Sequence, residues 1–391
     1  MPINYLYIDD DEFRDISAFT KQLCLDSNIY IEHIQVKEIP EIVKIYKEGC
    51  TPASGETNNF DGFIIDQELV KKSKEGKRAD YHGTTLAQHL RTEMAMGNIF
   101  HCPLILLSNN KNVVKSFKPD DTSSNLFDYV IIKDDLTKGK FAERARKVLL
   151  DVVDAYKQVL RPIGKDEFNK QEIQNLLGCN DNIYKFVDSR FIDYLKSKSK
   201  MPHAIVSCIY TSLVRSAGML STEQMLATKL GVDIENSADW HLVLKRFEFA
   251  KYKGPFCNIK QRWWSSAIEF WWYEESESGE PLNSLSCSDR VQELRSILGT
   301  ENLTPISLKY KSGDQSDRLW VNCVVSGTPL DPYDALRVRE SDLMPWEQPK
   351  YMDITAVLKR EHKTKGYEIH SDDVLKRDIL KARLRPDVNA H

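Results

Sequence analysis

Five side chains near the start of the chain have the types and the placement to handle a phosphoryl group. Asp9 and Asp10 follow the apolar run "NYLYI", Asp66 closes "GFII", Ser108 closes "LILL" and Lys133 closes "YVII". In a parallel α/β sheet, ligands bind outside the carboxyl ends of the strands, so residues that close adjacent strands meet on one rim. Carboxylates gathered there raise one another's pKa unless a hard cation neutralises them. Mg2+ accepts such oxygen ligands while keeping several of its waters. A hydroxyl and an ammonium beside them suit the oxygens of a phosphoryl group.

That chemistry requires a sheet, and the sequence supplies its pattern. "NYLYID" is followed by the helix-like "EFRDISAFTKQLCLD", then by "IYIEHIQV", the helix-like "IPEIVKIYKEG" and "DGFIID". After these come "TLAQHLRTEMA", "CPLILLS", a segment around "NKNVVKSFK", "FDYVIIK" and the long periodic "KFAERARKVLLDVVDAYKQVL". Extended runs alternating with helical ones predict βαβ units and a parallel sheet. Continuous apolar runs such as "YLYI", "GFII" and "LILL" fit strands covered by helices on both faces. The expected architecture is a doubly wound, five-stranded parallel domain over residues 1–160. The Pro and Gly in "RPIGKDE" break the pattern there.

The order of these five markers on these elements resembles the receiver domain of bacterial two-component response regulators, over roughly residues 3 to 160. The resemblance implies a flavodoxin-like fold. It further implies a magnesium site made by Asp9, Asp10, Asp66 and the backbone carbonyl of Glu68, with Asp66 as phosphoacceptor. Ser108 and Lys133 would contact the phosphoryl group, and a histidine kinase or phosphotransfer protein would donate it. Asp11 and Glu12 are expected only to head the first helix.

The chain also departs from the family pattern. Asn109 stands where a small residue usually follows the hydroxyl. Asp134 replaces the usual proline after the lysine, so a trans peptide is expected there. Val130 occupies the usual aromatic position, with Tyr129 one step further off. The stretch between Asp66 and Gly83 is long and carries Lys71, Lys72, Lys74, Lys77 and Arg78. The metal and phosphate chemistry survives these changes better than the usual switching mechanism does.

Residues 161–391 read as a mixed, mainly helical α+β effector of no recognised family. In "LSTEQMLATKLGVD", Ser221 with Gln224 matches a capping box, and Gly231 marks a turn. With a second helix from Ser237, residues 221–250 resemble a helix-turn-helix. Lys245, Arg246, Lys251, Lys253, Lys260 and Arg262 follow, interleaved with Phe247, Phe249, Tyr252 and Phe256. Cations with aromatics can track nucleic acid, so DNA binding is one alternative function. "QRWWSSAIEFWWYEE" holds four of the chain's seven tryptophans. On one helix two adjacent Trp pairs cannot share a stripe, so some indoles are expected to face another element or a partner. A second alternative is therefore a protein-interaction module that works without phosphorylation. "ISLKYK" and "LWVNCVV" suggest a hairpin, and "SDDVLKRDILKARL" a final helix.

Composition narrows the class. The net charge of 391 residues is only -4, and 41% of them are apolar, ample for a core in each domain. Eight scattered cysteines without a C-x-x-C pair fit reduced thiols. No apolar run is long enough to span a bilayer, and the N-terminus lacks signal-peptide character, so a cytoplasmic protein is expected. His203, His241, His362 and His370 have no metal-ligand spacing, and no catalytic motif marks the second half as an enzyme.

Overall fold

In the computed structural model, which describes residues 2–25, 28–51, 57–69, 81–109, 126–161, 168–308, 316–341 and 343–384, the five apolar runs form one sheet. Its strands are β1 (Ile3–Asp9), β2 (Ile29–Gln35), β3 (Gly62–Asp66), β4 (Leu104–Ser108) and β5 (Tyr129–Ile132). All neighbours are parallel, in the order β2-β1-β3-β4-β5. This is the flavodoxin-like order, whose topological switch point lies between β1 and β3.

The helices α1 (Phe13–Cys24), α2 (Ile39–Glu48), α3 (Gly83–Ala95) and α4 (Gly139–Leu160) flank the sheet. The face on which a strand residue packs alternates along the strand. Leu6, Ile8, Phe63, Ile65, Leu104 and Leu106 pack with Ile42 and Tyr46 of α2 and with Leu86 and Leu90 of α3. Tyr5, of opposite parity, sends its hydroxyl to the Leu149 carbonyl of α4 at 2.7 Å. β3 and β4 are buried at every residue, as two-sided cover requires. Glu12 occupies the N-cap of α1, but its side chain makes no capping bond, and the first-turn acid is Asp15. The segment around "NKNVVKSFK" and the five cations of the long insert lie outside the described residues.

The chain resolves into two compact units. The first comprises Met1–Leu176, Tyr194–Tyr210 and Gly254–Lys260, and the second Leu177–Asp193, Thr211–Lys253 and Gln261–His391. The first unit thus takes in chain beyond residue 160, and within it α4 packs against the helix Pro202–Cys208.

The second unit is mainly helical, with three two-stranded antiparallel sheets among its described residues. Two sequence expectations change here. Trp263 and Trp264 form a strand paired with Leu220–Ser221, and the helix begins only at Ser265. Splitting the tryptophans between a strand and a helix removes the crowding expected on one stripe, and all four are buried. The strand Val321–Asn322, expected to pair upstream, pairs downstream with Pro329–Leu330, and residues 309–311 of the "ISLKYK" segment lie outside the described residues. A second core gathers Val321, Leu336, Met352, Val357 and Leu380, the last from the helix Val374–Ala382 near the C-terminus.

Candidate functional site

Strand register brings the predicted residues to one rim. Ile8 pairs with Ile65, so the next residues, Asp9 and Asp66, leave adjacent strand ends side by side. Ser108 ends β4 opposite Ile132, and Lys133 follows as the first residue of a 3-10 turn, Lys133–Thr137. Asp9, Asp66 and Ser108 are all buried, while Asp10 is half-buried.

One carboxylate oxygen from each of Asp9, Asp10 and Asp66 lies within 4.8 Å of the others, the one such acid, His or Cys group among the described residues. The Lys133 ammonium bridges two of them, 2.6 Å from Asp66 Oδ1 and 3.0 Å from Asp9 Oδ2. It also lies 5.5 Å from the centroid of the Phe19 ring on α1. Three carboxylates against one ammonium leave an excess of negative charge at hard oxygen ligands, a donor set that fits a divalent cation.

Asp9 and Asp66 are further oriented by short local bonds. Asp9 Oδ1 accepts the Asp11 N–H at 2.8 Å, and Oδ2 accepts the Tyr7 hydroxyl. Asp66 Oδ2 accepts the Glu68 N–H at 2.8 Å, so the loop after β3 curls back over its own carboxylate. Burial raises the Asp66 pKa from 3.8 to about 6; Lys133 opposes the rise and Asp9 reinforces it. Burial also works against the Lys133 ammonium, but Asp66 and Asp9 outweigh it, and the lysine's pKa is raised. Burial, then Asp9, pushes Tyr7 well above its usual value, so its hydroxyl stays a donor.

Ser108 donates its hydroxyl to Gln67 Oε1 at 2.6 Å. Gly83, at the start of α3, sits where a Cβ would come 2.2 Å from the Asp66 carbonyl oxygen. The described peptides include no cis bond, so Lys133–Asp134 is trans, as the missing proline implies. Tyr7, Gln67 and Phe19 were not singled out by the sequence reading. Tyr7 sits inside an apolar run and reads as core, and the partner of Gln67 is 41 residues away.

The helix-turn-helix candidate has a different character. Its first helix is Glu223–Leu230, capped by Thr222, whose hydroxyl accepts the Met225 N–H at 3.0 Å. Ser221, the expected cap, is a buried strand residue whose hydroxyl pairs with that of Ser265 at 2.7 Å. Gly231 takes the left-handed conformation (φ 74°) expected at the turn. The second helix is Trp240–Arg246, starting later than Ser237. Every residue from Met225 to Leu230 is buried, leaving this helix little free face. Phe247, Tyr252 and Phe256 are buried too, whereas Phe249 is 48% exposed. Arg262 is buried with its Nε on the Val214 carbonyl, and Arg246 pairs with Glu275 at 2.9 Å. Most of the aromatics expected to stack on bases are therefore core side chains.

No family model matches the sequence, and no curated protein matches it. Among solved structures the chain is similar to the bacteriophytochrome response regulator RtBRR, at 16% identity and a TM-score of 0.24, over 37% of this chain and 76% of that one. It is similar to the Mn2+-bound form of response regulator Rcp1, at 12% identity and 0.24, over 38% and 91%. It is also similar to the RcsB response regulator of Salmonella typhimurium, at 14% identity and 0.25, over 54% and 98%. Scores of this size add nothing to the strand order and the site geometry described above.

Proposed function

We propose that the first unit is a receiver-type signalling module in which Asp66 accepts a phosphoryl group and thereby governs the second unit. The observation that carries this reading is the juxtaposition of three acids, a bridging lysine and a buried hydroxyl at the ends of adjacent strands. The donor in this reading is a phosphohistidine on a kinase or phosphotransfer protein. The second unit acts by binding, not by catalysis.

With a pKa of about 6, the Asp66 carboxyl is largely ionised at neutral pH and can act as a nucleophile. One of its oxygens attacks phosphorus as the P–N bond of the phosphohistidine breaks. The imidazole leaves with the bonding pair and takes up a proton, and an aspartyl phosphate is formed. Asp9, Asp10, Asp66 and the Glu68 carbonyl would hold Mg2+, whose charge offsets that of the phosphoryl oxygens. Lys133 exchanges its bond to Asp66 for one to the phosphoryl group. Ser108 must give up Gln67 to hydrogen-bond the same group, which couples phosphorylation to the loops after β3 and β4.

Incubation of the full chain with acetyl phosphate and Mg2+ should give a retarded band on a Phos-tag gel. The band should vanish in Asp66→Ala. An unshifted wild-type protein under saturating donor would overturn the proposal.

A further inference from the structure

In the second unit one guanidinium is buried with part of its hydrogen-bonding capacity unanswered. Arg290 is wholly buried in the first turn of the helix Cys287–Leu298. Its Nη1 donates to the carbonyls of Lys229 at 2.9 Å and Leu319 at 2.7 Å, which fixes the plane of the fork. Nε and Nη2 are buried and have no hydrogen-bond partner. Cys287, Asp317 and Asp331 act on the guanidinium only through space. The Cys287 thiol is itself committed to the Asp317 carbonyl at 3.0 Å.

Two physical terms oppose a cation at this place. A buried charge without a bonded counter-ion bears an uncompensated desolvation penalty. The first turn of a helix is also the positive end of its dipole, which favours anions. The neighbouring cation is treated differently. Lys229 is buried as well, but its ammonium pairs with Glu269 at 3.1 Å. Both cations lie against the partly buried Trp320, the Lys229 nitrogen 4.3 Å and the Arg290 guanidinium carbon 5.8 Å from the ring centroid. Lys229 has its acid and Arg290 has none.

We propose that the Nε–Nη2 edge of Arg290 is a recognition element for a small oxyanion, a carboxylate or a phosphate. Two parallel N–H groups match two oxygens of either anion, and the helix N-terminus and the apolar indole wall strengthen the contact. Because the edge is enclosed, binding requires side chains packed around it to swing aside. The proposal does not depend on phosphorylation of Asp66.

Thermal unfolding of the full chain tests it, in EDTA and at constant ionic strength set with chloride, with sodium acetate and inorganic phosphate titrated separately. One of the two anions should raise Tm saturably, by about 3 °C at a hundredfold Kd for a chain of this size. A response to acetate alone assigns a carboxylate ligand, and one to phosphate alone a phosphate. Asp66→Asn should keep the response. Arg290→Met should abolish it, and Arg290→Lys, which keeps the charge but not the two-nitrogen edge, should weaken it at least tenfold. If Arg290→Met does not fold, Arg290→Lys decides in its place. The proposal is overturned if neither anion stabilises the wild type saturably, or if the Arg290 variants respond as the wild type does.

Discussion

Asp66 has to be buried and charged at once, and its surroundings show how that is managed. Burial alone would neutralise the carboxyl, whereas Lys133 at 2.6 Å and the Glu68 N–H favour the ion, and the balance sits at about 6. The sign of the pH dependence follows. The Asp66 pKa is raised on folding, so without a metal its contribution favours the folded state below about pH 4. That contribution is lost as pH rises through about 6. A divalent cation reverses the preference by rewarding the ionised form. Stabilisation by Mg2+, read as the rise in Tm on adding the ion, should therefore be largest above pH 7. It should shrink steadily as pH falls through 6, because protons compete for Asp66. A gain independent of pH between 5 and 7.5 would show that Asp66 is not among the ligands.

At the level of elements, the site depends on how closely α3 approaches the end of β3. A methyl group at Gly83 would meet the Asp66 carbonyl oxygen at 2.2 Å and the Gln67 Cα at 3.2 Å, and backbone cannot rotate out of the way. Gly83→Ala should cost about 2 kcal/mol in urea unfolding and should slow any phosphorylation of Asp66, since the strain falls on its own peptide. A neutral substitution would mean that α3 shifts freely. The strands were legible because two-sided burial writes itself as unbroken apolar runs, and the rim residues because they are polar at the ends of those runs. Tyr7 was not, because an aromatic within a strand reads as packing whether or not its hydroxyl has a task. The cap at Thr222, in place of Ser221, and the strand at Trp263–Trp264 were missed for a related reason. A two-residue strand has no periodicity to detect, and only its pairing partner, 44 residues away in the Leu220–Trp264 and 42 in the Ser221–Trp263 pair, reveals it.

Across the whole molecule, the sheet does not stand alone on residues 1–160. Val148, Val152, Tyr156 and Val159 of α4 are all buried, and α4 also packs against the helix Pro202–Cys208. A fragment ending at residue 161 should bind a hydrophobic dye and unfold at a lower temperature than one extended to residue 210. Equal Tm values with no dye binding would show that the sheet and α1 suffice to cover α4. The first unit draws on three separate stretches of chain, with the second unit's own stretches between and after them. That interleaving has a genetic consequence. No single crossover in the gene can carry one unit away intact and leave the other whole, because every breakpoint severs at least one of them. The two units are therefore inherited as one piece under single crossovers, and moving either one to another protein takes several coordinated exchanges.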